Sequence, residues 1–467
     1  MKKRFFSLLL VLFIAVTCLP ALAYAEDTDT PQLQFGSDGS FTVLVLADTQ
    51  DLQICSPFLV RSLIATLDLY TPDFIVLLGD QIDGGHPLIG IGSRSKNVTR
   101  AIDNVLWPIA EREIPFAVVF GNHDAESGVS REAQMRIYQS YPNCVAVDEG
   151  DTLPGCGTYR IPVYDMSGKS VAMNMYFFDS GDYIENGDYG TVTAEQVDWY
   201  RQEAAAVKAA NDNQTIPAIA FQHIIVPEIY NILSVAQSDT PDAFAGVGVG
   251  KGSYYLPDAK AILSGELLEA PCPSSRNSGL FSAWKENDVF AAFFGHDHVN
   301  SFIASVEGLD LVACPGATYT SYNDEAARGA RLLRFTDGTI RDYETMHVKF
   351  SAFDDVTGLN YLRYHLTTTG KLPNWVKIFV SLALLLIIAI VLIIRIARDP
   401  NRTKAADQPL FSGDDTEDCQ ETPQALATDL PAASEPSQAQ NNALPSKSNA
   451  ASNQEQPQEQ SQPPARN

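Results

Sequence analysis

Apolar residues fall along this chain in two rhythms, and the switching between them outlines a domain over residues 35–345. Short β-rich runs at 41–47, 73–78 and 116–120 are too brief for helices and predict buried strands. Between them, residues 57–69 and 98–112 carry apolar positions at helical spacing. This β-α-β-α-β order predicts a parallel sheet covered by helices. Further strands are expected at 171–178, 216–221, 289–294, 311–313 and 329–335. Thr193 followed by Gln196 predicts the capped start of another helix. Residues 126–170 and 224–280 show no steady period and are expected to form rim loops or lids.

The two ends follow different patterns. Residues 1–25 run from Met1-Lys2-Lys3-Arg4 through an apolar stretch to Ala23-Tyr24-Ala25, the order of a secretory signal peptide. Residues 375–395 are almost wholly aliphatic, with Trp375 and Lys377 on one flank and Arg395 on the other, which predicts a single transmembrane helix. Residues 346–374 read as a juxtamembrane stalk. Residues 396–467 are rich in Asp, Glu, Ser, Gln, Asn and Pro, cannot repay the entropy of ordering, and read as a disordered cytoplasmic tail. An exported N-terminus and one span would leave the catalytic-looking domain outside the cell membrane.

The formal net charge of −25 argues against nucleic acid as a general partner, because a phosphate backbone seeks a basic surface. It leaves small phosphorylated substrates open, since bound cations invert a local field. Of seven cysteines, Cys18 falls in the signal and Cys419 in the tail, leaving an odd number for the domain. Cys144 and Cys156 could close a small loop. Asn97-Val98-Thr99 and Asn213-Gln214-Thr215 are glycosylation sequons. Nothing in the sequence sets the oligomeric state.

The chemistry gathers where the strands end. Asp48 follows the first, Gly79-Asp80 the second, and Gly121-Asn122-His123-Asp124 the third. His223 follows the strand at 216–221, and Gly295-His296-Asp297-His298 follows that at 289–294. Open α/β folds collect ligands at the carboxyl ends of their strands, so these residues are expected on one rim. Any one of them alone is as well explained by a turn or a cap; the ordered series asks for a two-metal hydrolytic centre. Asp80 suits a carboxylate shared by two ions. Asp48 and His298 suit the first ion, and Asn122, His223 and His296 the second. Two divalent or mixed-valence ions are expected: the oxygen ligands suit hard cations, Ca included, and the imidazoles admit Mn, Fe or Zn. His123 is placed to protonate a leaving group, with Asp124 expected to orient it. Arg276, Arg328 and Arg331 are weaker candidates for a phosphate contact.

Taken with Phe177-Phe178-Asp179-Ser180-Gly181 and Gln222-His223, these motifs resemble the calcineurin-like metallophosphoesterases over about residues 38–340. Within that superfamily the chain is similar to the purple-acid-phosphatase-related branch of small plant and fungal enzymes. The resemblance implies a four-layer α/β/β/α sandwich, a dinuclear centre and phosphoester hydrolysis by a metal-activated water. Two positions depart from the pattern. Gln50 stands in a histidine slot, as an oxygen ligand or a hydrogen-bonding neighbour of one. Asp83 stands where the purple enzymes carry tyrosine, as a replacement ligand or a solvated turn residue; without that tyrosine the colour-giving charge transfer is lost. A phosphomonoesterase is the leading expectation. A phosphodiesterase or nucleotide hydrolase is the nearest alternative, and a non-catalytic metal-bound surface protein the more distant one.

Overall fold

Two β-sheets lie face to face in the computed structural model, which describes residues 31–185, 187–353, 364 and 374–397. The first sheet is built on β1 (Ser40–Leu46), β2 (Phe74–Leu78) and β3 (Phe116–Val119), all parallel. It is extended antiparallel by β14 (Gly329–Thr336) and β15 (Glu344–Lys349). The second sheet has a parallel centre of β5 (Val171–Phe178), β6 (Ala218–Gln222), β11 (Val289–Phe294) and β13 (Leu309–Ala313). Antiparallel β4 (Tyr159–Tyr164) borders one side; β12 (Ile303–Val306) and β10 (Ile262–Ser264) border the other. A small third sheet of β7 (Leu233–Ala236), β8 (Phe244–Ala245) and β9 (Tyr254–Pro257) lies in the region expected to be irregular.

The strand period of two builds the layers. Along β5, Met175 and Phe177 join the core shared with the first sheet, while Tyr176 and Phe178 join a second core. Along β11, Ala291 and Phe293 divide in the same way from Ala292 and Phe294. Phe177, Phe221 and Phe293 stack across three neighbouring strands at 5.2 and 5.3 Å between centroids. Each such ring, taken out of water, contributes about 1.5–3 kcal/mol of transfer free energy. The second core is closed by α5 (Ala194–Ala210) and α6 (Leu280–Glu286). The outer face of the first sheet is covered by α1 (Pro57–Tyr70) and α2 (Arg94–Ala110). This is the expected four-layer sandwich.

Local signals set the helix ends. Ser56 caps α1 with Pro57 in its first turn. At α5 the Thr193 hydroxyl accepts from the Gln196 amide, and the Gln196 side chain accepts from the Thr193 amide. The sequon at Asn97 lies on α2 with its amide nitrogen already donating to the carbonyls of Ile89 and Ile91, whereas Asn213 of the other sequon is exposed. Cys144 and Cys156 are free thiols, which corrects the expected loop closure; burial pushes the Cys144 thiol up to about 12.

The predicted domain boundary at residue 345 is too early. β15 runs to Lys349, Phe350 is buried, and Tyr364 is buried against Phe58 with its hydroxyl accepting from Arg328. At least these parts of the predicted stalk therefore belong to the domain. Asn374–Ala397 forms a helix, and its window Ile378–Arg395 is long and apolar enough to cross a membrane, with none of it buried. The predicted signal peptide and the tail from residue 398 lie outside the described residues.

His347 on β15 gives a pH test of this corrected boundary. Burial, then the neighbouring Arg331 charge, lowers its pKa to about 4. The unfolded value is about 6.5. The folded state therefore binds fewer protons between those values, and stability present above pH 6.5 is lost as pH falls toward 4. After discounting for partial exposure, the loss is about 2 kcal/mol. Denaturant unfolding from pH 7 to pH 4 should show a smaller loss in His347→Asn than in the parent; parallel curves would refute this.

Candidate metal centre

The two sheets bring their carboxyl ends to one place, and backbone hydrogen bonds tie those ends together. The amides of Asp48 and Gln50 donate to the carbonyls of Gly79 and Asp80, and the amide of Gly295 donates to the carbonyl of His223. Across the sheets, the His296 amide donates to Asp48 Oδ2 at 3.0 Å, and His223 Nδ1 pairs with the Leu78 carbonyl at 2.9 Å. Asp48, Gln50, Asp80 and His296 all take left-handed backbone, with φ of 50, 38, 50 and 70°. Non-glycine residues adopt that region at a cost, and such strain gathers where side chains must be aimed.

Asp48, Gln50, Asp80, Asn122, His223, His296 and His298 are all buried. Asp48 Oδ1 lies 3.3 Å from His298 Nε2 and 3.9 Å from His223 Nε2. Asp80 Oδ2 lies 3.1 Å from His223 Nε2, out of line for a hydrogen bond. Ligand atoms of Asp80, His223 and His296 all fall within 4.8 Å of one another. Five buried atoms in this cluster have no hydrogen-bond partner: Asp48 Oδ1, Gln50 Oε1, Asp80 Oδ2, Asn122 Oδ1 and His223 Nε2. Each orphaned polar group costs about 1–3 kcal/mol. A cation among them removes that cost, so the donor set fits metal ions.

Neighbouring atoms hold these candidate ligands in a form suited to metal. Asp80 Oδ1 accepts the His123 amide at 2.7 Å, leaving Oδ2 for the cluster. His298 Nδ1 pairs with the Tyr322 carbonyl at 2.7 Å, which turns Nε2 inward as the Leu78 carbonyl does for His223. Burial favours the uncharged form of His223, yet Asp80 and Asp48 outweigh it and raise its pKa to about 10 in the metal-free protein. The same His223 charge overcomes burial to hold Asp80 well below the usual carboxylate range. Burial and the His223 charge lower the His296 pKa, keeping its imidazole neutral, the form that ligates metal.

The expected partner of His123 is corrected. Asn122–Glu126 forms a short helix, α3, so His123 faces the residue three positions on rather than the next one. His123 Nδ1 lies 2.8 Å from Glu126 Oε2. Asp124 turns away and accepts the amides of Asp80, Gln81, Ile82 and Gly121 at 2.8–3.3 Å. It fixes the backbone of the loops that carry Asp80 and Asn122 and does not touch His123. Burial opposes the charged form of His123, but Asp80 and Glu126 raise its pKa on balance. Asp83 is half-buried, its carboxyl pKa raised by burial; its amide donates to the Asp51 carbonyl and its carbonyl accepts from the His86 amide. Arg328 and Arg331 are buried and donate to the carbonyls of Thr318, Ala313 and Ser301, which removes them as phosphate contacts; Arg276 is exposed.

Sequence reasoning missed Glu126, Tyr183, Tyr189, Glu269 and Tyr322. Tyr183 Oη accepts from Asn122 Nδ2 at 2.8 Å and donates to Glu126 Oε1 at 3.2 Å. Tyr189 meets the His296 ring edge-on at 4.3 Å, and Tyr322 stacks on His298 at 4.1 Å. Only the i, i+3 spacing of His123 and Glu126 is a signal the sequence offers.

The family model described as calcineurin-like phosphoesterase matches residues 41–300, more than half of the chain. The chain belongs to that family. It is 26% identical over 394 residues to "Probable inactive purple acid phosphatase 14" of Arabidopsis thaliana, covering 76% of this chain and 89% of that protein. It is 24% identical over 299 residues to "Phosphatase DCR2" of Saccharomyces cerevisiae, covering 59% of this chain and 47% of that one. A dimetal phosphatase from Danio rerio aligns with 66% of this chain and 99% of its own, at 14% identity and a TM-score of 0.40. The resemblance to the purple-acid-phosphatase-related branch is thus borne out. The family implies two metal ions and supports metal-dependent phosphoester hydrolysis.

Proposed function

We propose that this member of the calcineurin-like phosphoesterase family is an active phosphomonoesterase, anchored by its apolar C-terminal helix with the metal centre outside the cell. The observation that carries the reading is the set of five buried, unpartnered ligand atoms beside an acid that is itself held in place. Asp48 and His298, joined by Gln50 Oε1, would hold one ion; Asn122, His223 and His296 would hold the other; Asp80 Oδ2 would face both. Bound there, two ions would orient the phosphate, lower the pKa of an attacking water and offset developing negative charge. His123 then supplies what the ions do not. Water oxygen bonds to phosphorus and loses one proton to solvent, the bond from phosphorus to the alcohol oxygen breaks, and His123 gives that oxygen a proton that it later regains from solvent. Glu126 keeps the ring turned through Nδ1, so Nε2 is the atom free to donate. Asp83 is left outside the ligand set.

The plant relative quoted above carries "inactive" in its name; this chain carries Asp80 and His123, the residues on which the reading rests. A panel of phosphomonoesters and phosphodiesters, assayed with Mn, Fe, Zn and Ca on the full-length chain in detergent, tests the reading. Monoester turnover should lead. Diester turnover well above it would reassign the enzyme as a phosphodiesterase, and no turnover with two ions bound would refute the hydrolase. His123→Gln should lower kcat by about 10²–10⁴-fold while two ions per chain are retained, with the larger loss on esters of poor leaving groups. An unchanged kcat on an alkyl phosphate would remove His123 from the acid's role.

A further inference from the structure

We infer that the rim of this centre recognises an ammonium group on the alcohol side of its substrate, so that the substrate class is phosphate esters of amino alcohols. The inference rests on phosphoester hydrolysis at this centre and deepens it.

Aromatic rings and carboxylates form a continuous arc around the ligands. Tyr183 and Tyr189 lie 5.8 Å apart between ring centroids, and Tyr189 stands on His296. His296 is 5.2 Å from His223. On the other side, Tyr322 covers His298 in a nearly parallel stack, 8° between planes. Each end of the arc finishes on a carboxylate: Tyr183 Oη donates to Glu126 Oε1, and Tyr322 Oη donates to Glu269 Oε1 at 3.3 Å. Among the described residues, no lysine or arginine side chain is bonded to the side chain of any proposed ligand: Arg131, which donates to the Gly121 carbonyl, is paired with Asp179, and Arg328 and Arg331 donate to backbone carbonyls.

This lining discriminates between substrates. The phosphate itself is compensated by the ions that the donor set fits. A second anionic group on the substrate would meet Glu126, Glu269 and Asp83, with the protonated His123 already paired to Glu126. A neutral alkyl group would gain only contact with the rings. An ammonium group gains the faces of the rings and the field of the carboxylates together, an arrangement known to suit quaternary amines. The side is also set. His123 protonates the departing oxygen and is bonded to Glu126, so the alcohol leaves past Glu126 and Tyr183. Tyr183 is 40% exposed, which leaves its ring open to that group. A short alkyl spacer places the ammonium there.

The test compares choline phosphate with its uncharged isostere, 3,3-dimethylbutyl phosphate, on the full-length chain in detergent. The kcat/KM should favour choline phosphate by about tenfold. The preference should survive Tyr183→Phe, which keeps the ring, and fall to within about twofold in Tyr183→Leu, which removes it. Equal values in the parent chain, or faster cleavage of an ester with an anionic substituent such as 3-phosphoglycerate, would overturn the inference. A second measurement does not need turnover. Calorimetric titration of the metal-stripped chain should give saturable heat with choline and none with 3,3-dimethylbutanol; no difference between the two would also overturn it. Failure of the hydrolase reading looks different: an aryl phosphate would resist cleavage with every metal, while the choline titration would still report the rim.

Discussion

Asp80→Asn should cut phosphoester hydrolysis by at least about 10³-fold and leave the chain unable to hold two ions. The substitution is isosteric. Its remaining oxygen can still accept the His123 amide, so the turn that carries His123 need not move. What changes is the atom facing the cluster: a charged, unpartnered Oδ2 beside His223 becomes a neutral amide nitrogen. The attraction that raises the His223 pKa is then largely gone, and that ring can shed its proton instead of remaining as an unpaired buried charge. The metal-free variant should therefore unfold within about 1 kcal/mol of the metal-free parent. The difference appears on adding metal. An ion at a thousandfold excess over its Kd stabilises the native state by about 4 kcal/mol, and the variant should forfeit much of that gain. Elemental analysis together with thermal unfolding, with and without metal, measures both effects. Two ions per chain and near-parent turnover in Asp80→Asn would remove Asp80 from the centre.

Gly79→Ala should be among the most damaging single-methyl changes in the domain. A Cβ at Gly79 would lie 2.4 Å from His223 Nδ1 and 2.9 Å from the Gly121 amide nitrogen, with φ at +87°. Neither neighbour can yield: His223 is pinned through that same Nδ1 to the Leu78 carbonyl, and the Gly121 amide is bonded to Asp124. Gly92 supplies the control, since its φ is +82° and a Cβ there meets nothing within 4 Å. Gly92→Ala should cost about 1 kcal/mol, the backbone penalty alone. Gly79→Ala should cost about 3 kcal/mol or more and also displace His223, so that metal affinity falls with stability. Denaturant unfolding of the pair separates backbone strain from collision with His223. Similar losses in the two variants would mean that His223 is not held as tightly as its contacts imply.

The strands and helices that carry the site were legible because each is a local pattern with a local consequence. The run predicted at 73–78 is observed as Phe74–Leu78, and that at 289–294 as Val289–Phe294. Both are wholly buried, so their apolar character is continuous and easy to read. The strand Tyr159–Tyr164 was not predicted. It lies at the edge of its sheet, holds Pro162 and alternates between buried and half-buried residues, so its signal is weak. The β7–β8–β9 sheet was hidden for a related reason: its strands are two to four residues long and none of their residues is buried.

Asp124 marks the limit of adjacency as a guide. Beside His123 in sequence, it points elsewhere because the two sit on a helical turn, where neighbours in space are three or four residues apart. The sequence rule that would have corrected this is the acid at the third helical position, which commonly accepts the amide at the helix start.

By itself the sequence determined the order of the elements, the residue at the end of each strand and hence the donor types of the candidate metal centre. Those depend on periodicity and on side-chain chemistry, both of which are written locally. Only the tertiary structure decided which of those donors lack other partners, which carbonyl fixes each histidine, and which tyrosines and glutamates close the rim. Those depend on distances between segments as far apart as Asp48 and His296, 248 positions along the chain, and they exist only once the two sheets have packed.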